Sequence, residues 1–170
     1  MHGLDHNNLF KISNGYLYSY HATYCFVLFA VHCCFPTISS GMQPHIKFRT
    51  SPQEHEFGHP FQLGHFEKAD KPEDAVLSTM RAMPGDVLIV GSDGLFDNIF
   101  DRDICSIALK HKAVSKSPGA MVRELVEVAY SNSMDKNAFT PYSFGASEWF
   151  DMVYNGGKPD DITVVAMFLS

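Results

Sequence analysis

Two aspartates carry the most chemical promise in this chain of 170 residues. Asp93 lies in Gly91-Ser92-Asp93-Gly94-Leu95-Phe96-Asp97-Asn98, and Asp160 in Gly157-Lys158-Pro159-Asp160-Asp161. An apolar run at 87–90 precedes the first, and another at 162–169 follows the second. Both runs read as buried strands, which puts Asp93 in a tight turn at a strand exit and Asp160 at a strand entrance. If the strands pair antiparallel, exit lies beside entrance and both carboxylates share one sheet edge. Oxygen ligands gathered on a rigid edge suit Mg²⁺ or Mn²⁺. Asp93 and Asp160 are therefore the candidate metal ligands, and no side chain is nominated as a catalytic acid, base or nucleophile.

Other polar residues have plainer explanations. Asp-Gly is a favoured turn pair, so Asp93 taken alone has an ordinary structural reading. Asp97 reads as a turn or helix-entry residue. His55, His59 and His65 are separated by Gly58, Pro60 and Gly64, which break any helix that would align them, and no cysteine accompanies them. They read as loop histidines. His111 falls at a helix end, where a cation suits the dipole. Trp149 and Phe150 read as core or loop packing, and nothing selects Arg49, Arg81, Arg102 or Arg123 as a phosphate ligand.

Composition sets the bounds. Hydrophobic residues make up 45% and charged residues 19%, which excludes wholesale disorder and fits one globular domain. The net charge of −6 is uneven: six basic against seven acidic residues in 1–85, seven against twelve in 86–170. Nucleic-acid binding calls for the opposite sign, so no nucleic-acid partner is expected. Cys25, Cys33, Cys34 and Cys105 form no C-x-x-C pair and read as reduced, intracellular thiols.

The elements that must position the aspartates come next. Residues 24–35 are nearly continuous apolar sequence but shorter than the roughly 20 residues of a membrane span, and His32 interrupts them. A targeting signal, a buried strand pair and an unspecified segment all remain open there. Ile46, Phe48 and Thr50 alternate with Lys47 and Arg49 as in a half-buried strand. Residues 51–65 read as a long loop, and 75–83 stay open between helix and strand. Residues 101–112 carry acids at the start and bases at the end, as a helix would. Ser117-Pro118 offers an N-cap and first-turn proline for a second helix, with Met121, Leu125, Val128 and Ala129 on one face. Residues 131–157 are aromatic and irregular.

Pro84-Gly85-Asp86 leading to 91–98, with the Gly157-to-Val165 stretch downstream, resembles the type 2C family of metal-dependent protein serine/threonine phosphatases. Phe48-Arg49-Thr50-Ser51-Pro52-Gln53-Glu54-His55-Glu56-Phe57, Pro60-Phe61-Gln62-Leu63 and Phe139-Thr140-Pro141-Tyr142 are similar to its plant and mitochondrial-type branch. The likeness runs from about residue 45 to the end. It implies an α+β fold, a partial α-β-β-α sandwich of antiparallel sheets flanked by helices. Residues 1–45 then form a divergent apolar N-terminal segment and 46–170 the C-terminal portion of a phosphatase domain.

The resemblance also implies a reaction: hydrolysis of phosphoserine or phosphothreonine in proteins by water held on two Mg²⁺ or Mn²⁺ ions. Asp93 and Asp160 match the family's metal aspartates, whereas Asp161 stands where many members have Asn and is taken as a neighbour. Two family features are missing: the N-terminal Asp-Gly-rich motif that bridges the ions and an earlier phosphate-binding Arg. Asp5, in His2-Gly3-Leu4-Asp5-His6, lacks the required glycines. Activity of this chain is accordingly expected to be weak or lost. The other reading is a non-catalytic, phosphatase-like regulator that binds phosphoproteins or a phosphatase. Expected partners are a phosphoprotein substrate and, through exposed sheet edges, further copies of the chain. The expected location is intracellular, with the mitochondrion and chloroplast both compatible with the family.

Overall fold

The structure, a computed structural model, describes residues 10–13, 16–21, 26–32, 45–62, 64, 67–114 and 117–170; for the first three stretches and His45 it describes the backbone course. The strands are β1 (Phe10–Ser13), β2 (Tyr16–His21), β3 (Phe26–His32), β4 (His45–Arg49), β5 (Glu54–Glu56), β6 (His59–Pro60), β7 (Val76–Arg81), β8 (Asp86–Ser92) and β9 (Val164–Phe168). Between β8 and β9 come the helices α1 (Asp93–Phe96), α2 (Asp101–Val114), α3 (Gly119–Met134) and α4 (Pro141–Phe150). Two antiparallel sheets result, one in the order β1-β2-β7 and the other β4-β3-β8-β9, with β5-β6 as a small hairpin.

β8 lies at the centre because both its faces are used. Val87 and Ile89 point into a core with Leu95, Phe96, Ile99, Ile104, Met121 and Leu125, so the helices pack on that side. Leu88 and Val90 face the other way, toward Met80 of β7 and Phe48 of β4, and there the two sheets meet. Burial on alternate sides explains why 87–90 is an unbroken apolar run rather than an alternating one. The chain enters β8 through a turn in which Asp86 N donates to Met83 O at 3.1 Å, with Gly85 at φ +94° as this turn requires. The mixed α+β class expected from the sequence is present, as helices on one side of two stacked sheets.

β3 sits between β4 and β8, with Phe26 opposite Ser92 and His32 opposite Asp86, while β2 pairs with β7. Strands from 1–45 and from 46–170 thus share both sheets. Residues 16–21 and 26–32 form strands, and these enter different sheets and do not pair with each other.

The strand expected at 46–50 is β4, and the open stretch 75–83 resolves as β7. α2 starts where expected and runs two residues past 112, to Val114, with Asp101 and Asp103 in the first turn and His111 and Lys112 in the last. His111 does more than end a helix: its Nε2 lies 2.6 Å from Glu124 Oε2, and Lys110 reaches the same carboxylate at 2.7 Å, so α2 is tied to α3. α3 starts one residue later than expected. Pro118 rather than Ser117 precedes it, and Pro118 O accepts from Val122 N at 2.9 Å.

The stretch read as irregular contains α4, which requires a correction. Thr140 Oγ1 accepts from Ser143 N and Ser143 Oγ accepts from Thr140 N; with Pro141 in the first turn, this capping box starts the helix. Trp149 and Phe150 are not core residues either. They are 57% and 50% exposed and pack beside Phe57 with ring centroids 6.5 and 6.3 Å away. No described helix is long and apolar enough to cross a membrane. Cys25, Cys33, Cys34, Asp5 and His65 lie outside the described side chains.

Leu125 of α3, fully buried in the helix-side core, is the sharpest test of this packing. Leu125→Ala should lower unfolding free energy by about 2–5 kcal/mol in urea denaturation, whereas Tyr130→Ala on the exposed face of α3 should change it by less than about 0.5 kcal/mol.

Candidate metal centre

β8 and β9 pair antiparallel, with Gly91 opposite Val164, so the exit of one strand adjoins the entrance of the other. Three residues fasten this junction. Ser92 N donates to Thr163 O at 3.0 Å, Ser92 Oγ donates to Asp161 O at 2.8 Å, and Thr163 N donates to Ser92 Oγ at 3.0 Å. Gly94 lies against the same segment, where a Cβ would stand 2.5 Å from Asp161 O. Only glycine permits that approach. Asn98, 1% exposed, donates through Nδ2 to Gly94 O and Lys158 O, both at 2.9 Å, and accepts from Lys158 N at 3.0 Å. The segment 157–161 is thereby clamped over α1.

Asp93 is not simply a turn residue. It opens the one-turn helix α1 behind the N-cap Ser92, and its Oδ1 accepts from Gly94 N at 3.0 Å. Asp97 caps the far end of that turn, which carries its carboxylate to the same side. Lys158 Nζ donates to Asp97 Oδ2 at 2.8 Å and to Asp93 Oδ2 at 3.0 Å, and lies 3.4 Å from Asp160 Oδ2. The structure therefore brings Asp93 and Asp160 to one ammonium, at the shared strand ends the sequence argument expected. Asp161 contributes its main chain to the junction. Asp97 O accepts from Tyr142 N at 3.0 Å, which fixes α4 to the site, and the Tyr142 ring centroid lies 5.7 Å from Lys158 Nζ.

Charges in this cluster respond to one another. Burial raises the Asp97 pKa above the ordinary carboxylate value; the Lys158 hydrogen bond and charge oppose this, and the Asp93 charge adds to it. For Lys158 burial lowers the pKa, but hydrogen bonds and charges from Asp97 and Asp93 outweigh it and leave the ammonium protonated more firmly than usual. Lys158 is the residue that sequence reasoning missed. Its signal was a lone cation two positions before Asp160 in an acidic stretch. Asn98 was quoted in the motif but given no role, because nothing in the sequence shows that its amide spans two segments.

The remaining candidates fall elsewhere. Arg49 Nε meets Asp101 at 3.3 Å and its guanidinium lies 5.9 Å from the Phe96 centroid. His55 Nε2 pairs with Asp70 Oδ1 at 2.9 Å, and His59 Nδ1 lies 3.3 Å from Phe57 O. Among the described residues no group of three or more His, Cys, Asp or Glu side chains is arranged to hold a metal ion. Asp93 and Asp160 each place a carboxylate oxygen within 3.4 Å of the Lys158 ammonium, a pair of oxygen donors whose chemistry suits a hydrated divalent cation in place of that ammonium.

No protein-family model matches the chain. Curated relatives do. Probable protein phosphatase 2C 26 of Arabidopsis thaliana is 42% identical over 130 residues, covering 71% of this chain and 42% of that protein. Probable protein phosphatase 2C 1 of Oryza sativa subsp. japonica is 38% identical over 132 residues, covering 71% and 38%. Probable protein phosphatase 2C 55 of Arabidopsis thaliana is 35% identical over 126 residues, covering 74% and 27%. The chain spans less than half the length of these relatives. The solved structure titled photosystem II phosphatase PBCP superposes with a TM-score of 0.74 at 31% identity, covering 92% of this chain and 60% of that one. PppA of Pseudomonas aeruginosa, at 16% identity and a TM-score of 0.53, shares the fold.

Asn98→Ala would remove the partner of three main-chain groups, Gly94 O, Lys158 O and Lys158 N, and should cost about 2–4 kcal/mol. Urea unfolding should show a lower midpoint with an unchanged slope; an unchanged midpoint would mean that Asn98 does not hold the two segments together.

Proposed function

Because the chain belongs, through its C-terminal portion, to the type 2C protein phosphatase family, we propose that it takes part in metal-dependent hydrolysis of phosphoserine and phosphothreonine in proteins. The observation that carries this reading is the convergence of Asp93 and Asp160 on one cationic position at the β8–β9 junction. Asp93 and Asp160 would hold Mg²⁺ or Mn²⁺. When bound, such an ion activates water and offsets negative charge on the phosphoryl oxygens. The chain's own residues position the ligands. Ser92 and Gly94 set the spacing of the two segments, and Asn98 keeps Lys158 and its neighbours over α1.

Activity of this chain by itself is proposed to be weak, since the sequence lacks the N-terminal Asp-Gly motif of its family. One observation favours the second reading, a non-catalytic regulator that binds phosphoproteins or a phosphatase: a cation of the chain itself, Lys158, already sits against Asp93, Asp97 and Asp160 and offsets part of their charge. The proposed location is inside the cell, with the mitochondrion and chloroplast both compatible with the family resemblance.

Self-association is proposed through the outer strand β9. Val165 and Met167 are 62% and 51% exposed there, on the last strand of the sheet order β4-β3-β8-β9. Size-exclusion chromatography should show dimers or larger species, and a sharp monomer peak would contradict this.

A phosphothreonine peptide assayed with Mn²⁺ separates the two functional readings. Slow turnover that EDTA removes and Asp93→Asn lowers at least about tenfold, or 1.4 kcal/mol, supports the enzyme. No metal-dependent turnover from well-folded protein supports the regulator.

A further inference from the structure

We propose that Lys158 is a resident counter-ion that competes directly with a divalent cation for Asp93 and Asp160, and so sets the ion concentration at which this site loads. The inference rests on the phosphatase reading of those two aspartates and deepens it. Its basis is spatial exclusion. Lys158 Nζ lies 3.0 Å from Asp93 Oδ2 and 3.4 Å from Asp160 Oδ2, in contact with both oxygens. A divalent ion bound to both needs that same space at roughly 2.0–2.6 Å from each oxygen. The ammonium and the ion cannot occupy it together.

Lys158 is also built to leave. Its side chain is partly exposed, and four flexible carbons carry the charge. Its shortest contact, 2.8 Å, is to Asp97, which offers a place to which the ammonium retires when Asp93 and Asp160 are taken. The main chain of Lys158 stays put throughout, because Asn98 holds both its N–H and its carbonyl without involving the side chain. Substituting the side chain therefore removes the competing charge and leaves the segment anchored.

The test is Mn²⁺ binding to the full chain, followed by the electron paramagnetic resonance signal of free Mn²⁺, with Mn²⁺ alone as the probe. Thermal melts of each variant report folding, and Lys158→Met replaces Lys158→Gln if the latter does not melt cooperatively. Lys158→Gln should bind Mn²⁺ at least about tenfold more tightly than the natural chain, a change of 1.4 kcal/mol. Adding Asp93→Asn should abolish that gain, and Lys158→Arg, which keeps the charge, should bind no better than the natural chain. Equal Mn²⁺ affinity in the natural chain and Lys158→Gln, lost in both on Asp93→Asn, would overturn the competition and leave the metal reading standing. A folded Lys158→Gln that binds no Mn²⁺ would overturn both. A gain in Lys158→Arg as large as in Lys158→Gln would also overturn the proposal, since charge would then not be the cause.

Discussion

Antiparallel pairing of β8 with β9 is the constraint from which the site follows. α1 to α4 intervene between the two strands in sequence, yet their register places Gly91 beside Val164. That register alone would bring the two acidic segments to one edge, but not into a fixed relation. Ser92 supplies it by bonding three times across the junction, to Thr163 and Asp161. Gly94 closes the remaining gap, since any side chain there meets the Asp161 carbonyl. The chemistry depends on small residues that bring two backbones within reach of each other.

Once the backbones are this close, electrostatics dictates the rest. Two like charges about 4 Å apart repel by roughly 4 kcal/mol at an effective dielectric near 20. Water at a partly exposed edge reduces that figure, but not its sign. α1 and the 157–161 segment gather three carboxylates around one point, and a cation there offsets their mutual repulsion. Lys158 fills the role within the chain itself. Burial raises the Asp97 pKa, so the folded state holds that proton more tightly than the unfolded one. The stability this contributes is fully present below the unfolded carboxylate pKa and is lost as pH rises through the folded value. At neutral pH the ionised Asp97 relies on Lys158 to offset its burial.

The legible parts of the sequence were those with one dominant physical cause. The apolar runs at 87–90 and 162–169 announce strands, and the acid-to-base polarity of 101–112 announces α2. The convergence of Asp93 and Asp160 followed from strand direction and turn position. α4 was not legible because its aromatic residues follow no inward face: Phe144, Trp149 and Phe150 are exposed, and the helix is set by the local exchange between Thr140 and Ser143. Lys158 escaped for a different reason. Its role depends on Asp93 and Asp97, more than sixty positions earlier, and neither spacing nor propensity records such a meeting. Asn98 was silent likewise, since its partners Gly94 O and Lys158 O are main-chain atoms.

The contrast between β8 and β9 shows how far neighbours decide what a strand's pattern means. Both strands carry consecutive apolar residues. In β8 each face has a partner, because helices cover Val87 and Ile89 while the second sheet covers Leu88. In β9 only one face is covered: Val164, Ala166 and Phe168 join the helix-side core, and Val165 and Met167 stand open toward the side where the sheets stack. The three-stranded sheet reaches β8 through Met80 but leaves those two residues exposed. An apolar face on an outer strand is costly in water at about 25 cal/mol per Å². The strand that follows Asp160 in sequence is thus also the one that leaves apolar surface open.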